Sequence, residues 1–168
     1  IEQTKKLTDD IKKIFNDKKY PILIDQEGGR INRLSKFIDT SKFTGEFFGN
    51  LYKNNFKKFT TYYQIYIMQT CYLMHMIGVN INTVPVLDVR RKKSHNIIGD
   101  RSFSTNPKIV SKIGDFCIKE FHKSNIGTVM KHIPGHGLAK VDSHKVTPLV
   151  KDKFKKLNKI DFFPFKNK

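Results

Sequence analysis

The chain lacks tryptophan, has only two cysteines and contains no long uninterrupted hydrophobic run. Two cysteines do not make the disulfide framework of a small secreted domain, and both Cys71 and Cys117 lie among apolar residues at helical spacing. A buried free thiol packs as a small hydrophobe, which fits a reducing cytoplasm. Residues 66–79 form the most apolar stretch, but polar residues interrupt it before it reaches the roughly 20 residues of a membrane span. We therefore expect no membrane insertion and a cytoplasmic location.

Acidic residues are scarce, since 15 Asp and Glu stand against 32 Lys and Arg and leave a net charge of +17. Such an excess raises nucleic-acid binding as a hypothesis. The basic residues are, however, spread over four segments of the chain, at 5–19, 53–58, 90–93 and 151–168. This spread is typical of solvated surface positions, so a basic nucleic-acid-binding module is the weaker alternative.

Short apolar runs alternate three times with longer segments in which apolar residues recur every three or four positions. The runs have the length and composition of strands buried on both faces, at 21–25, 79–84 and 126–130. Helical spacing predicts helices at about 7–19, 54–77 and 107–124, with a further helical pattern after residue 151 and a polar loop between the first strand and residue 54. The best-defined helix begins with Asn106 as N-cap and Pro107 at its first position. The alternation predicts an α/β fold with a parallel sheet.

Two architectures fit this order: an open doubly wound sheet and part of a (β/α)₈ barrel. Polar residues lie just past the predicted strand ends, at Asp25, in the loop 88–101 and at Lys131 and His132. A barrel collects its active site at that edge, and the glycine pattern of a dinucleotide-binding turn does not follow the first strand. The sequence thus favours a partial (β/α)₈ TIM barrel of parallel strands with covering helices, incomplete at both ends.

Three clusters carry residues with candidate chemistry. In residues 24–33, Asp25 can accept two hydroxyl groups, Gly28 and Gly29 allow a tight turn, and Arg33 can donate in a fork. Residues 99–103 contain Arg101 and have the same character. On the residues alone, ordinary turns with surface arginines are the favoured interpretation of both clusters.

The third cluster runs from Lys131 to Gly137 and continues with Asp142 and His144. An aspartate beside a histidine can hold one ring nitrogen while the other nitrogen transfers a proton near neutral pH. His132 and His136 also have a spacing that zinc sites use, although the intervening Pro134 and Gly135 disfavour a metal-binding helix face. Proton transfer, zinc binding and an inert surface loop therefore all stay open at this point.

Taken together and in order, five segments resemble the successive signatures of bacterial family 3 β-N-acetylglucosaminidases, which are β-N-acetylhexosaminidases. They are residues 25–30, 85–89, 99–103, 131–137 and 142–144. The resemblance covers nearly the whole chain and is weakest at 37–61 and after Lys151. It implies a single partial catalytic domain over residues 1–168 and a retaining exo-β-N-acetylglucosaminidase that needs no cofactor or metal. Terminal N-acetylglucosamine of muropeptides or chitooligosaccharides, handled in cell-wall recycling, is the implied substrate.

The resemblance also assigns roles to individual residues. It implies that five residues bind N-acetylglucosamine in the −1 subsite, namely Asp25, Arg33, Arg101, Lys131 and His132. It further implies that His144 is the general acid/base and that Asp142 orients it. The matching aspartate nucleophile is expected beyond Lys168, so none is assigned in this chain. The loop 138–141 departs from the family, in which acidic or small residues are common there.

We expect the 168-residue chain, expressed by itself, not to hydrolyse N-acetylglucosaminides at an enzymatic rate. A (β/α)₈ barrel takes about 250 residues, and retaining chemistry needs a nucleophilic carboxylate about 5 Å from the acid/base group. On this expectation the chain is a catalytically inactive truncated homologue or part of a longer enzyme. Release of chromophore from a chromogenic N-acetyl-β-glucosaminide is the measurement. Turnover well above background that His144→Ala abolishes would contradict the expectation.

Overall fold

The computed structural model describes residues 1–91, 96–139, 147 and 149–166, and within them three strands form one parallel sheet. The strands are β1 (Leu23–Ile24), β2 (Ile81–Asn82) and β3 (Gly127–Thr128), in the order β1-β2-β3. In the register of the sheet, Leu23 lies opposite Ile81, which lies opposite Gly127. The predicted α/β class with parallel strands is confirmed, although each ladder is shorter than the apolar run that contains it.

Helices fill the two connections between the strands and also lie before the first strand and after the last. They are α1 (Glu2–Ile14), α2 (Gly45–Asn54), α3 (Phe56–Met76), α4 (Pro107–Lys123) and α5 (Phe154–Ile160), with 3₁₀ turns at Gly99–Arg101 and Phe163–Phe165. The predicted cap of α4 is confirmed, because the Asn106 side chain accepts a hydrogen bond from the backbone N–H of Lys108 at 2.9 Å. Helix α1 ends earlier than predicted, at Ile14, and Asn16 then adopts a positive φ of 49°.

Helix α2 lies where the sequence predicted a polar loop, and that prediction was wrong. Its first turn is capped by Thr44, whose hydroxyl accepts from the backbone N–H of Phe47 at 3.0 Å. Two glycines, Gly45 and Gly49, lie on one face of the helix four residues apart. Glycine weakens a helix by about 1 kcal/mol relative to alanine. The two glycines therefore made this segment resemble a loop in the sequence. Tertiary packing decides the conformation here, because the glycine face lies against the backbone of residues 101–103.

The apolar core lies between the sheet and the helices α2, α3 and α4. Its completely or almost completely buried side chains include Phe48, Phe59, Ile67, Met74, Val110 and Ile113. Full burial of each such side chain contributes about 1.5–3 kcal/mol. Cys71 and Cys117 are buried free thiols in this core, and burial raises the pKa of Cys71 to about 11 and that of Cys117 to about 12. Both thiols therefore stay protonated at neutral pH and pack as apolar groups.

None of the helices in the described ranges is long and apolar enough to cross a membrane.

Side-chain amides extend the short pairing between β1 and β2. The Asn80 Oδ1 atom accepts from the Ile22 N–H at 2.8 Å. Completely buried Asn82 accepts from the Gln26 N–H at 3.1 Å and donates to the Gln26 carbonyl at 2.9 Å. These three bonds pair backbone groups that a longer ladder would otherwise satisfy. The Asn80 bond holds the chain just before β1, and the two Asn82 bonds hold it just after β1, where the first polar cluster begins.

We predict that Gly49→Ala lowers the free energy of unfolding of the protein by about 1–3 kcal/mol or more. An ideal Cβ at this position would lie 1.6 Å from the carbonyl oxygen of Phe103, so α2 or the 101–103 segment would have to move. Urea unfolding followed by circular dichroism measures the change. Asn50→Ala, at an exposed position of the same helix, is the matched control and should change stability little. Equal effects of the two substitutions would contradict this packing.

Candidate functional site

The carboxyl ends of the three strands meet at one edge of the sheet, where an open cleft of about 260 Å³ lies. Four residues that the sequence singled out line it, namely Asp25, Arg33, Arg101 and His132. Lys131 contacts the Asp25 carboxylate and completes the set. The expected convergence of the strand-end motifs is therefore confirmed. The sugar-binding roles of these residues stay predictions.

Asp25, directly after β1, is held by groups from the two other strands. Lys131 follows β3 and donates through its ammonium group to Asp25 Oδ1 and, at 3.1 Å, to the Thr83 hydroxyl. That hydroxyl, just after β2, donates to the same Asp25 oxygen at 2.8 Å, and Arg33 Nη2 lies 3.7 Å from Oδ2. Partial burial raises the pKa of Asp25, but the bonds from Lys131 and Thr83 and the charges of Lys131 and Arg33 outweigh it and hold the pKa below its ordinary value. The carboxylate is thus charged and acts as an acceptor at neutral pH.

Glu27 lies behind the cleft and contacts two largely buried cations of the site, Arg101 and Lys131. Its Oε2 accepts from Arg101 Nε at 2.8 Å, and its Oε1 accepts from Arg101 Nη2 at 2.7 Å, which makes a bidentate pair. Lys131 Nζ lies 2.5 Å from the same Oε1. The Glu27 side chain is only 5% exposed, against 12% for Arg101 and 14% for Lys131. Reasoning from the sequence assigned no role to Glu27.

Asp88 is the second acid that the sequence left without a role. It is completely buried, and its Oδ2 lies 2.5 Å from His132 Nδ1. Its Oδ1 accepts from the backbone N–H of His136 at 2.5 Å. Both carboxylate oxygens are therefore bonded inside the protein, and the other ring nitrogen of His132 faces Arg101, with Nε2 3.4 Å from Nη2. A carboxylate on Nδ1 fixes the orientation of an imidazole ring, so Asp88 sets the face that His132 presents to the cleft.

The turn after β1 depends on a glycine. Gly28 has a φ of +95°, and a Cβ there would lie 2.5 Å from both the Tyr66 hydroxyl oxygen and the Phe43 carbonyl oxygen. With glycine at this position, the Tyr66 hydroxyl has room to donate to the Glu27 carbonyl at 3.1 Å. Buried Gln26 closes the turn, because its side-chain oxygen accepts from the backbone N–H of Arg33 at 2.8 Å. This turn carries Asp25, Glu27 and Arg33 to one side of the cleft.

Arg101 reaches the cleft from the 3₁₀ turn Gly99–Arg101. Arg30 ties this turn to the first cluster, since its Nη2 donates to the carbonyl groups of Asn96 at 2.8 Å and Ile97 at 2.6 Å. Its Nε also lies 3.3 Å from Asp100 Oδ1. The two motifs that looked like unrelated turns in the sequence therefore form one structural unit.

Asp142 and His144, the predicted acid/base pair, lie outside the described residues. The zinc alternative rested on His132 and His136, whose ring centroids are 6.0 Å apart in the structure. No group of three or more His, Cys, Asp or Glu that could hold a metal ion is present in the part of the chain that the structure describes.

We predict that Lys131→Met raises the pKa of Asp25 relative to the unsubstituted protein. Burial would then be opposed only by Thr83 and Arg33. The ordinary pKa of an aspartate is 3.8, and that of Asp25 in the folded protein is lower. The contribution of the ion pair to folding stability is therefore complete above pH 3.8 and is lost as the pH falls through the pKa of the folded state. Carbon-13 NMR titration of the Asp25 carboxyl group measures the shift. Lys123→Met, which removes an ammonium group paired with Glu120 on α4, is the control and should leave Asp25 unchanged; an unchanged Asp25 in Lys131→Met would refute the assignment.

Curated proteins with similar sequences include several named Beta-hexosaminidase. The chain is 37% identical over 145 residues to Beta-hexosaminidase A of Pseudoalteromonas piscicida and 30% identical over 167 residues to a Beta-hexosaminidase of Hydrogenovibrio crunogenus. These alignments cover 86% and 98% of the chain but only 24% and 45% of the relatives. The chain thus spans less than half the length of either relative.

Solved structures give the same result. The crystal structure of NagZ from Neisseria gonorrhoeae in complex with N-trifluoroacetyl-D-glucosamine matches with a TM-score of 0.86 and 28% identity, over 98% of this chain and 48% of that one. The beta-N-acetylglucosaminidase from Thermotoga maritima matches with a TM-score of 0.73 and 27% identity, over 98% of this chain and 32% of that one. The family model described as "Glycosyl hydrolase family 3 N terminal domain" matches residues 1–168. The chain therefore belongs to the N-terminal domain family of the family 3 glycosyl hydrolases.

Proposed function

We propose that the protein containing this chain is a retaining exo-β-N-acetylglucosaminidase, which removes terminal non-reducing N-acetylglucosamine from an oligosaccharide. The observation that carries the proposal is the convergence of Asp25, Arg33, Arg101 and His132 on one cleft. Asp25 offers charged acceptor oxygens, while the arginines offer donors in fixed directions. Because sugar hydroxyl groups both donate and accept hydrogen bonds, such a mixed set suits a sugar ring in the −1 subsite.

The proposed chemistry divides the work between this chain and a carboxylate outside it. His144, oriented by Asp142, protonates the oxygen of the leaving group as the glycosidic bond breaks. An aspartate from outside residues 1–168 attacks the anomeric carbon and forms a glycosyl-enzyme. His144 then takes a proton from water, which attacks the anomeric carbon and releases the sugar with retained configuration. Residues 1–168 on this proposal are one partial catalytic domain that supplies the sugar-binding groups and the acid/base.

The substrate and location are proposed on narrower grounds. Muropeptides and chitooligosaccharides both carry terminal N-acetylglucosamine, and the family resemblance supports them as substrates of cell-wall recycling. The free, buried Cys71 and Cys117 are compatible with a reducing cytoplasm. The proposed reaction uses no metal and no organic cofactor.

Kinetics of the complete natural protein test this function. On a chromogenic N-acetyl-β-glucosaminide, His144→Ala should lower kcat by about 10²–10⁴ while leaving the Kd for N-acetylglucosamine nearly unchanged, as for the loss of a general acid/base. Asp142→Asn should lose a comparable or smaller factor. His122→Ala is the matched control, since His122 lies at the end of α4 and contacts Thr128, away from the cleft.

Two results would overturn the proposal. An unsubstituted protein that hydrolyses β-glucosides as fast as N-acetyl-β-glucosaminides would contradict the substrate class. Full turnover by His144→Ala on a substrate with a poor leaving group would contradict the acid/base assignment, because such a substrate depends most on protonation of its leaving oxygen.

A further inference from the structure

One buried carboxylate in the site has contacts that no sugar-binding or proton-transfer role explains. Glu27 spans two cations that come from different parts of the chain, Arg101 in the 3₁₀ turn and Lys131 after β3. It does not itself line the cleft that Arg101 and His132 face. With a side chain only 5% exposed, it lies behind the cations.

The geometry of the pair fixes the direction in which Arg101 faces. Glu27 occupies the edge of the guanidinium group formed by Nε and Nη2, at 2.8 and 2.7 Å. Nη1 donates to the Ile97 carbonyl at 3.2 Å, which holds the opposite side of the group. A bidentate pair of this kind restricts rotation about the side chain, whereas a single hydrogen bond leaves it free. Nη2 also lies 3.4 Å from Nε2 of His132, and both residues line the cleft.

Glu27 restrains Lys131 through the same oxygen that accepts from Arg101 Nη2. The lysine ammonium then bridges Glu27 and Asp25, so one acid behind the cleft and one acid in the cleft share it. The Glu27 backbone is in turn anchored, because Tyr66 of α3 donates to its carbonyl at 3.1 Å. Helix α3 therefore anchors Glu27, and Glu27 in turn holds Arg101 and Lys131 at the cleft.

We propose that Glu27 is a positioning residue that holds Arg101 and Lys131 in the orientation in which they bind the substrate sugar, a role that rests on the function proposed above. Glu27 acts through these two side chains and makes no contact with the sugar. Its removal therefore weakens ground-state and transition-state binding of the sugar together. The effect is seen mainly in KM and kcat/KM, whereas loss of the acid/base is seen in kcat.

The test measures kcat, KM and the Kd of N-acetylglucosamine in the complete natural protein. Glu27→Gln keeps the shape of the side chain but replaces one acceptor oxygen by a donor group that faces Arg101 or Lys131. We expect kcat/KM to fall by about 10², the size of effect produced by misplaced binding groups, and the Kd of N-acetylglucosamine to rise. Glu120→Gln is the matched control, because Glu120 is also a buried acid with a lysine partner but lies on α4. It should lower the thermal midpoint to a similar degree with kcat/KM unchanged.

A double-mutant cycle with Arg101→Met separates positioning from independent action. If Glu27 acts through Arg101, Glu27→Gln should cost much less in the Arg101→Met background, about tenfold or less, because the oriented group is already absent. Equal factors in the two backgrounds would overturn the proposal, as would unchanged kcat/KM in Glu27→Gln alone.

Two further outcomes have defined meanings. If Glu27→Gln does not fold, Glu27→Asp replaces it, since that variant keeps the charge but is one methylene too short to reach both cations; wild-type kcat/KM in Glu27→Asp would overturn the positioning role. If the unsubstituted protein neither turns over N-acetylglucosaminides nor binds N-acetylglucosamine, the proposed function itself fails. Failure of the positioning role alone is recognised by an active protein in which Glu27 substitutions have no effect.

Discussion

Lys131 places its ammonium group between the carboxylates of Asp25 and Glu27, and this contact joins the ends of all three strands. The two acids follow β1, the lysine follows β3, and Thr83 after β2 bonds both Lys131 and Asp25. The Lys131 and Glu27 side chains are only 14% and 5% exposed, and an uncompensated buried charge costs several kcal/mol. Each charge therefore requires the others, and the strand ends that carry them must meet at one edge of the sheet.

The shortness of the strands explains why so much of this edge is held by side chains. Backbone pairing covers two residues in each ladder, so the side-chain amides of Asn80, Asn82 and Gln26 bond backbone groups outside β1, on both sides of the strand. Because the chain after β1 is not paired in the ladder, it can turn sharply at Gly28. The turn directs side chains of this segment into the cleft. The local cost of irregular backbone is offset by hydrogen bonds from buried amides, each of which contributes about 1 kcal/mol.

The sequence predicted well what depends on neighbouring residues and poorly what depends on distant ones. The strands, the α4 cap at Asn106 and the strand-end positions of Asp25 and Lys131 all follow from local pattern, and all are present in the structure. Helix α2 was missed because its glycines serve contacts with a segment some fifty residues further along the chain. Glu27 and Asp88 were left without roles for the same reason, since no local pattern shows which of the acids near a motif will meet Arg101 or His132.

The balance of charges in the cleft bears on the kind of ligand it suits. Although the whole chain carries +17, the described site sets Asp25, Glu27 and Asp88 against Arg33, Arg101 and Lys131. Of the described cations at the cleft, Arg101 and Lys131 are paired with carboxylates at hydrogen-bond distance and Arg33 lies 3.7 Å from Asp25, so little positive charge is left uncompensated among them. Phosphate groups of a nucleic acid need exposed, unpaired Lys and Arg, whereas an uncharged sugar needs oriented donors and acceptors with no net field. Among the residues that the structure describes, the charge balance of the cleft therefore supports the proposed neutral sugar ring as the ligand.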